Sequence, residues 1–360
     1  MSSASRSPRP LRVAVAGLGF GYAVHLPSWL GQTGIEVVGI ASRRRDKATE
    51  LASRHGISVA TDDITELLSL GPDIFSLALP PDVAAAAARQ ALERGIAIIS
   101  EKPIAGTFSE AAALAALAAN RTTAVNFSFS ELDTFQTLRR HLASNEFGVP
   151  LRADLTWRTE SYAHRHRIWG WKTDLQRFGG VITSFASHVT HLVEWLLGPV
   201  RMLEASLDDR RTRAFAPPGT KPAWDRAEIL LHHHNNAVFR AVLDNAAPGE
   251  DVHEWNIRCA AGSYRLVKHG PGIMTGLVLY RIGPDGNEEV LTQDCHQDSA
   301  GGRVLPFRRL LDRFVGAVRT EGACEPNFAH GCRVQYLMAR IEASASATSA
   351  LACDDLVLSA

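Results

Sequence analysis

Glu101, Lys102 and Pro103 come directly off the short apolar run Ile96, Ala97, Ile98, Ile99, in the stretch SEKPIAG. A lysine placed there and partly desolvated has its pKa lowered, which suits it to moving a proton near neutral pH. The proline that follows disfavours helix and keeps Lys102 extended. A second group is Ser184, His188 and His191, spaced by four and then three residues, so that on a helix they share one face. Two imidazoles on one face could bind a metal, yet there is no glutamate-bearing HExxH and no fixed third ligand. The reading is therefore a buried or proton-handling imidazole and no metal. His232, His233 and His234 fall at a strand end, where alternation sends them to different faces. The segment WRTESYAHRHRIWGWK mixes Trp157, Tyr162, Trp169 and Trp171 with Arg165, Arg167 and Lys172. Aromatic faces suit sugar rings or other planar ligands, and the cations suit a carboxylate or phosphate. Ordinary loop packing is the competing reading, and nothing in the segment chooses between them.

These groups need elements to position them. Leu11 to Ala16 is a short apolar run of the kind a buried parallel strand shows, and GLGFG follows it. Further runs at 36–41, 74–79, 96–100 and 123–127 alternate with helical stretches. One of these, 81–94, has Pro81 suited to the first helical position and Gly95 to the stop. Strands alternating with helices predict right-handed crossovers and a doubly wound parallel α/β sheet, with ligands beyond the carboxyl ends of its strands. Lys102 falls just past the fourth run. In the glycine turn, Gly17 permits a tight bend and Gly19 lets the backbone approach a pyrophosphate, with Phe20 and Gly21 completing the turn. Tyr22 stands where a third glycine is usual. A fold that holds a ribose 2'-hydroxyl places a carboxylate at the end of the second strand, but here the chain reads Ala41, Ser42, Arg43, Arg44, Arg45. A hydroxyl and a guanidinium suit a 2'-phosphate. NADP(H) is favoured over NAD(H), which stays the alternative; a solvated arginine run is the bland reading.

Past about residue 128 the pattern changes to a helix at 132–144, a strand at 151–157, the aromatic and basic loop, and a helix at 181–197. Strand-like runs at 227–232, 238–243, 253–260, 264–268 and 277–282 predict a large, mostly antiparallel open sheet, closed by helices at 305–319 and 329–349. The expected organisation is a disordered tail at 1–10, a Rossmann domain for dinucleotide binding at 11–128, and an α+β domain for substrate binding and oligomerisation at 129–360. At 360 residues two domains are the prior expectation. Thirty-eight basic residues balance thirty-eight acidic ones, so no global field draws nucleic acid or an anionic membrane. Partners are expected to be small molecules or copies of the chain itself. The five cysteines, odd in number and never spaced as CxxC, suit reduced thiols in the cytoplasm. The apolar run after the basic N-terminus breaks on glycines after six residues, too short for export or for spanning a membrane.

GLGFG, LALPPDVAAAAARQALERG, SEKPIAG, GGVITSFASHVTHLVEWLLGP and FAHGCRVQYLMARIEASA together resemble the glucose-fructose oxidoreductase, inositol dehydrogenase and MocA group, over nearly the whole chain. The resemblance implies a nicotinamide-dependent enzyme whose C-terminal domain presents an open sheet for substrate and for oligomer contacts, as a homodimer or homotetramer. It implies cofactor contacts from Leu79, Pro80, Glu101 and Lys102 beside the glycine turn, Ser42 and Arg43. Lys102 takes the place of the family's catalytic lysine and His188 that of its catalytic histidine. Ser184 stands where the family usually has an aspartate, and His191 where members often carry another. Trp169, Trp171, Lys172 and His191 are the expected substrate contacts. The leading expectation is hydride transfer between NADP(H) and a carbonyl or carbinol carbon of a sugar, sugar derivative or cyclitol. An NADPH-dependent imine or enone-type reductase and a cofactor-binding protein without turnover are the alternatives that the missing aspartate leaves open.

Overall fold

The apolar runs of the N-terminal third become six strands in the computed structural model, which describes residues 9–347 and 349–353. They are β1 (Leu11–Ala16), β2 (Ile35–Ala41), β3 (Val59–Thr61), β4 (Ile74–Leu77), β5 (Ala97–Ser100) and β6 (Thr123–Val125). All pairings are parallel, in the order β3-β2-β1-β4-β5-β6. Every residue of β4 and β5 is buried, which is why these strands read as mostly apolar runs, Ser76 and Ser100 being the polar members. Helix Pro81–Glu93 starts on its proline, and Gly95 follows it at φ +76°. Strand order reverses between β1 and β4, so a crevice opens at their carboxyl ends. The fourth strand stops at Leu77, two residues before the expected end, with Ala78 still donating from its N–H to the Ala16 carbonyl of β1 at 2.8 Å. Residues 1–8 of the expected tail lie outside the described residues; Arg9 is placed and pairs with Asp73 at 2.7 Å.

The second sheet has nine strands in the order β14-β13-β12-β11-β7-β10-β9-β8-β15. They are β7 (Pro150–Glu160), β8 (Val200–Asp208), β9 (Arg226–His233), β10 (Val238–Asp244), β11 (Ala246–Cys259), β12 (Ser263–Lys268), β13 (Leu277–Ile282), β14 (Glu288–Asp294) and β15 (Leu351–Ala352). Among the described residues its pairings are antiparallel except for β7 with β10, which are parallel. Its alternating strands turn Ala153, Leu155, Ile229, Phe239 and Trp255 toward helices Asp133–Ser144, Ser187–Leu197 and Phe328–Ala347. Helix Val304–Thr320 returns instead to the first sheet, where Phe307, Leu310 and Phe314 pack with Val13, Val15 and Trp29.

The stretch expected to be one helix at 181–197 is in two parts. A π-helical turn, Ile182–Ala186, precedes the α-helix Ser187–Leu197. A π-turn inserts an extra residue and is frequent at functional sites. Here it faces Lys102.

Candidate active site

The carboxyl ends of the parallel strands and the inner face of the second sheet enclose a cleft of about 1050 Å³. The glycine turn forms one end. Gly17 sits at φ +95°, and a Cβ there would lie 2.2 Å from the Ala78 carbonyl oxygen, so only glycine fits. At Gly19 a Cβ would meet nothing within 4 Å, because that side of the turn opens on the cleft. Phe20 lines the cleft as well. Gly21 does not; a Cβ there would be 3.1 Å from the Ala78 side chain, so its smallness serves the packing of the turn. Ser42 and Arg43 line the same end, joined by Arg44 and Lys47, which the sequence reading did not single out. Lys47 reaches the Leu18 carbonyl at 3.4 Å. Arg45 points elsewhere and pairs with Asp62 at 3.5 Å.

Leu79, Pro80, Glu101 and Lys102 form the middle of the cleft. The Glu101 carboxylate accepts from His25 Nε2 at 3.0 Å and from Asn126 Nδ2 at 2.5 Å. With Nε2 donating, His25 Nδ1 accepts from the Ser76 hydroxyl at 2.8 Å, and Ser76 in turn accepts from the Trp29 indole at 2.8 Å. Buried His25 is also stacked on Phe307, ring centres 4.3 Å apart. This chain fixes the residue next to Lys102, and no spacing rule in the sequence reveals it.

Burial pushes the Lys102 ammonium down to about 8; Lys172 and Arg303 add to the effect, and Glu101 opposes it. Its Nζ donates to the main-chain carbonyls of Ser184 at 3.1 Å and Thr183 at 3.3 Å, both in the π-turn. Position 184 thus meets the lysine through its backbone. Ser184 lines the cleft, as does His188. His188 is buried, and desolvation, followed by the Lys102 charge, holds its pKa well below the ordinary value; it is neutral at pH 7. Its Nδ1 has no hydrogen-bond partner, so Ser184 does not hold that nitrogen.

His191 falls outside the cleft lining, contrary to expectation. Three residues past His188 is roughly 60° short of a full helical turn. The ring stacks behind the site on Phe127, centres 4.2 Å apart, and burial pushes its pKa down to about 3. Trp169 also lies off the cleft, whereas Trp171 and Lys172 line it. The remaining wall comes from the second sheet. Trp157 stacks between Phe185 at 4.2 Å and His253 at 4.4 Å. His253 accepts from the Trp255 indole at 3.0 Å, and burial pushes its pKa down to about 3. Lys268, Asp251 and Arg303 complete this end. Sequence reasoning missed His253, Lys268 and Arg303; strand alternation alone could have pointed His253 inward.

Among the described residues no group of His, Cys, Asp or Glu could hold a metal ion, and no helix is long and apolar enough to cross a membrane. A smaller hollow of about 370 Å³ near Arg158 and Asp225 is ringed by charged residues of both signs, among them the pairs Arg158 with Glu250 at 2.9 Å and Arg210 with Asp208. It offers no comparable chemistry.

Residues 11–129 match the family model described as oxidoreductase family, NAD-binding Rossmann fold, and residues 135–265 match the GFO/IDH/MocA C-terminal domain. An uncharacterized oxidoreductase of Synechocystis sp. is 29% identical over 350 residues, 93% of each chain. The D-glucoside 3-dehydrogenase of Escherichia coli is 28% identical over 372 residues, covering 96% of this chain and 98% of that one. Levoglucosan dehydrogenase, solved with NADH and levoglucosan, superposes with a TM-score of 0.84 at 19% identity over 97% of this chain and all of its own. With a Rossmann sheet, a glycine turn at its switch point and a lysine facing a histidine across one cleft, the chain belongs to the Gfo/Idh/MocA family of oxidoreductases.

Proposed function

We propose that the chain transfers hydride between NADP(H) and a carbonyl or carbinol carbon of a sugar, sugar derivative or cyclitol. The observation that carries this reading is a single cleft running from the glycine turn to the lysine and histidine. The D-glucoside 3-dehydrogenase and D-apiose dehydrogenase among its relatives support a sugar-like substrate.

The residues present fit a dinucleotide. The turn at Gly17, Gly19 and Phe20 would hold the pyrophosphate, and Leu79 and Pro80 would flank the cofactor on its way to Glu101 and Lys102. Ser42 and Arg43 would hold a 2'-phosphate, since β2 ends without a carboxylate and neither Arg43 nor Arg44 has an ion-pair partner among the described residues. When bound, the nicotinamide supplies or accepts the hydride. Lys102 gives a proton from Nζ to the developing oxyanion, or takes it back in oxidation. His188, neutral, offers a hydrogen bond to the substrate oxygen. The stacked Phe185, Trp157 and His253 keep water from one wall of the cleft and present an apolar face to a ring. We further place the protein in the cytoplasm, where its five free thiols suit a reducing medium, with residues 11–128 serving the cofactor and 129–360 the substrate.

Fluorescence titration tests the cofactor assignment. One charge-assisted contact contributes about 1.5 to 3 kcal/mol, a preference for NADPH over NADH of about tenfold or more. Arg43→Asp removes that preference. Equal affinities in the unmodified chain would reject NADP(H), and a screen of sugars, carbonyls and imines by NADPH absorbance that finds no turnover would reject the enzyme reading.

A further inference from the structure

The reacting end of the cleft gathers more positive charge than it neutralises. Lys102, Lys172 and Arg303 all line it. Lys268, also there, is already paired with Asp251 at 2.6 Å and donates to the carbonyls of Gly270 and Gly272. The other three make no ion pair among the described residues. Lys102 donates to two carbonyls, Arg303 donates to the Ala300 carbonyl at 2.7 Å, and the Lys172 ammonium lies 5.7 Å from the Trp171 ring centre.

The carboxylates near them are engaged elsewhere. Glu101 is held by His25 and Asn126. Asp298 caps the start of helix Val304–Thr320, accepting from the backbone of Ala300, Gly302 and Val304. Arg303 stands between the glycine turn and the reacting end: its guanidinium lies 5.9 Å from the Phe20 ring centre, and its charge acts on Lys102, Lys172 and His188. Like charges gathered in a partly desolvated wall repel one another, and an anion that enters relieves both the repulsion and the missing hydration. A guanidinium fork beside an ammonium matches the oxygens of a carboxylate or a phosphate.

We propose that the substrate carries an anionic group, a carboxylate or a phosphate monoester, which Lys172 and Arg303 hold while its reacting carbon faces Lys102 and His188. The ligand is then a sugar acid or sugar phosphate and not a neutral sugar. This rests on the oxidoreductase reading of the same cleft and narrows its substrate. Lys172 and Arg303 act as specificity-determining residues, and Lys102 keeps its part in proton transfer.

The full chain, loaded with NADP+, is titrated calorimetrically with D-gluconate, D-glucose 6-phosphate and D-glucose. The same is done with Lys172→Gln and Arg303→Gln. One of the two acids is expected to bind about tenfold or more tightly than glucose, and to lose about tenfold in each variant. That binding weakens as sodium chloride is added, and the affinity for NADP+ stays within about twofold of the unmodified chain. Gluconate in the lead identifies a carboxylate, glucose 6-phosphate a phosphate. Glucose binding as tightly as both acids overturns the proposal. So does Arg303→Gln weakening NADP+ about tenfold, since the guanidinium then belongs to the cofactor's own phosphates. A chain that takes up no NADP+ counts against the cofactor reading alone, and the same comparison of acids with glucose, made on the cofactor-free chain, then decides this one.

Discussion

Two hydrogen bonds to carbonyls favour a charged lysine, yet Lys102 is pushed down to about 8, so desolvation outweighs them. At neutral pH the group is mostly protonated and donates; reduction is expected to outpace oxidation there, with oxidation gaining as pH rises through 8. Stability carries the same signature. An unfolded lysine titrates near about 10.4. Between the two values the unfolded chain holds more protons, so stability rises with pH across that window, and the full penalty is present below it. Lys102→Met is expected to lower turnover about 100-fold or more while leaving NADPH affinity nearly intact. Its melting temperature, relative to the unmodified chain, gains most below pH 8 and loses that gain toward about pH 10. The variant also removes two hydrogen bonds, so the pH trend of the difference is the readout and a flat trend rejects a desolvated Lys102. The lysine itself was legible, because a charged residue off a buried strand and before a proline is unusual enough to ask about. Its holders were not legible, since carbonyls carry no letter in a sequence.

The turn after β1 shows how one element divides its work among like residues. Gly17→Ala forces a Cβ to 2.2 Å from the Ala78 carbonyl at φ +95°, so it is expected to lower the melting temperature by several degrees and weaken cofactor binding together. Gly19→Ala adds a Cβ into open space. It is expected to keep the melting temperature and lose cofactor affinity alone, and a comparable thermal loss in both variants would place the pyrophosphate elsewhere. The same contrast explains what could be read of the elements. β1, β2, β4 and β5 announce themselves because burial on both faces leaves them mostly apolar. β14 escaped because EEVLTQD is an edge strand, half of it exposed, and its composition reads as a loop. β8 escaped because only Val200 and Leu203 of its nine residues are buried. The π-turn at 182–186 has no compositional mark, and it brings the Ser184 carbonyl to Lys102 while Ser184 and His188 still line one cleft.

On the scale of the whole molecule, the cleft exists because the inner face of the second sheet closes over the first sheet's strand ends. Among the described residues, the core that the helices share with the second sheet lies on its inner face, and the outer face is the other one. There Glu228, Val242, Thr156, Glu254, Val267 and Val278 line up across neighbouring strands, each half-buried. This face is where a contact between copies is expected, as a homodimer or homotetramer. Light scattering is expected to give a mass of two or four chains, and Val242→Asp, within that row, to reduce it to one while the near-ultraviolet spectrum stays native. An unmodified chain that runs as a monomer ends that assignment. The carbonyls of Thr183 and Ser184 have one more consequence, and it concerns what the chain is free to become. A proton carrier tethered by side chains would be lost with any exchange of those side chains. Tethered to main chain, Lys102 keeps its hold whatever stands at 184, and residue 184 lines the cleft. Position 184 can therefore drift, or be randomised in a library, to try new substrates without dismantling the chemistry beside it.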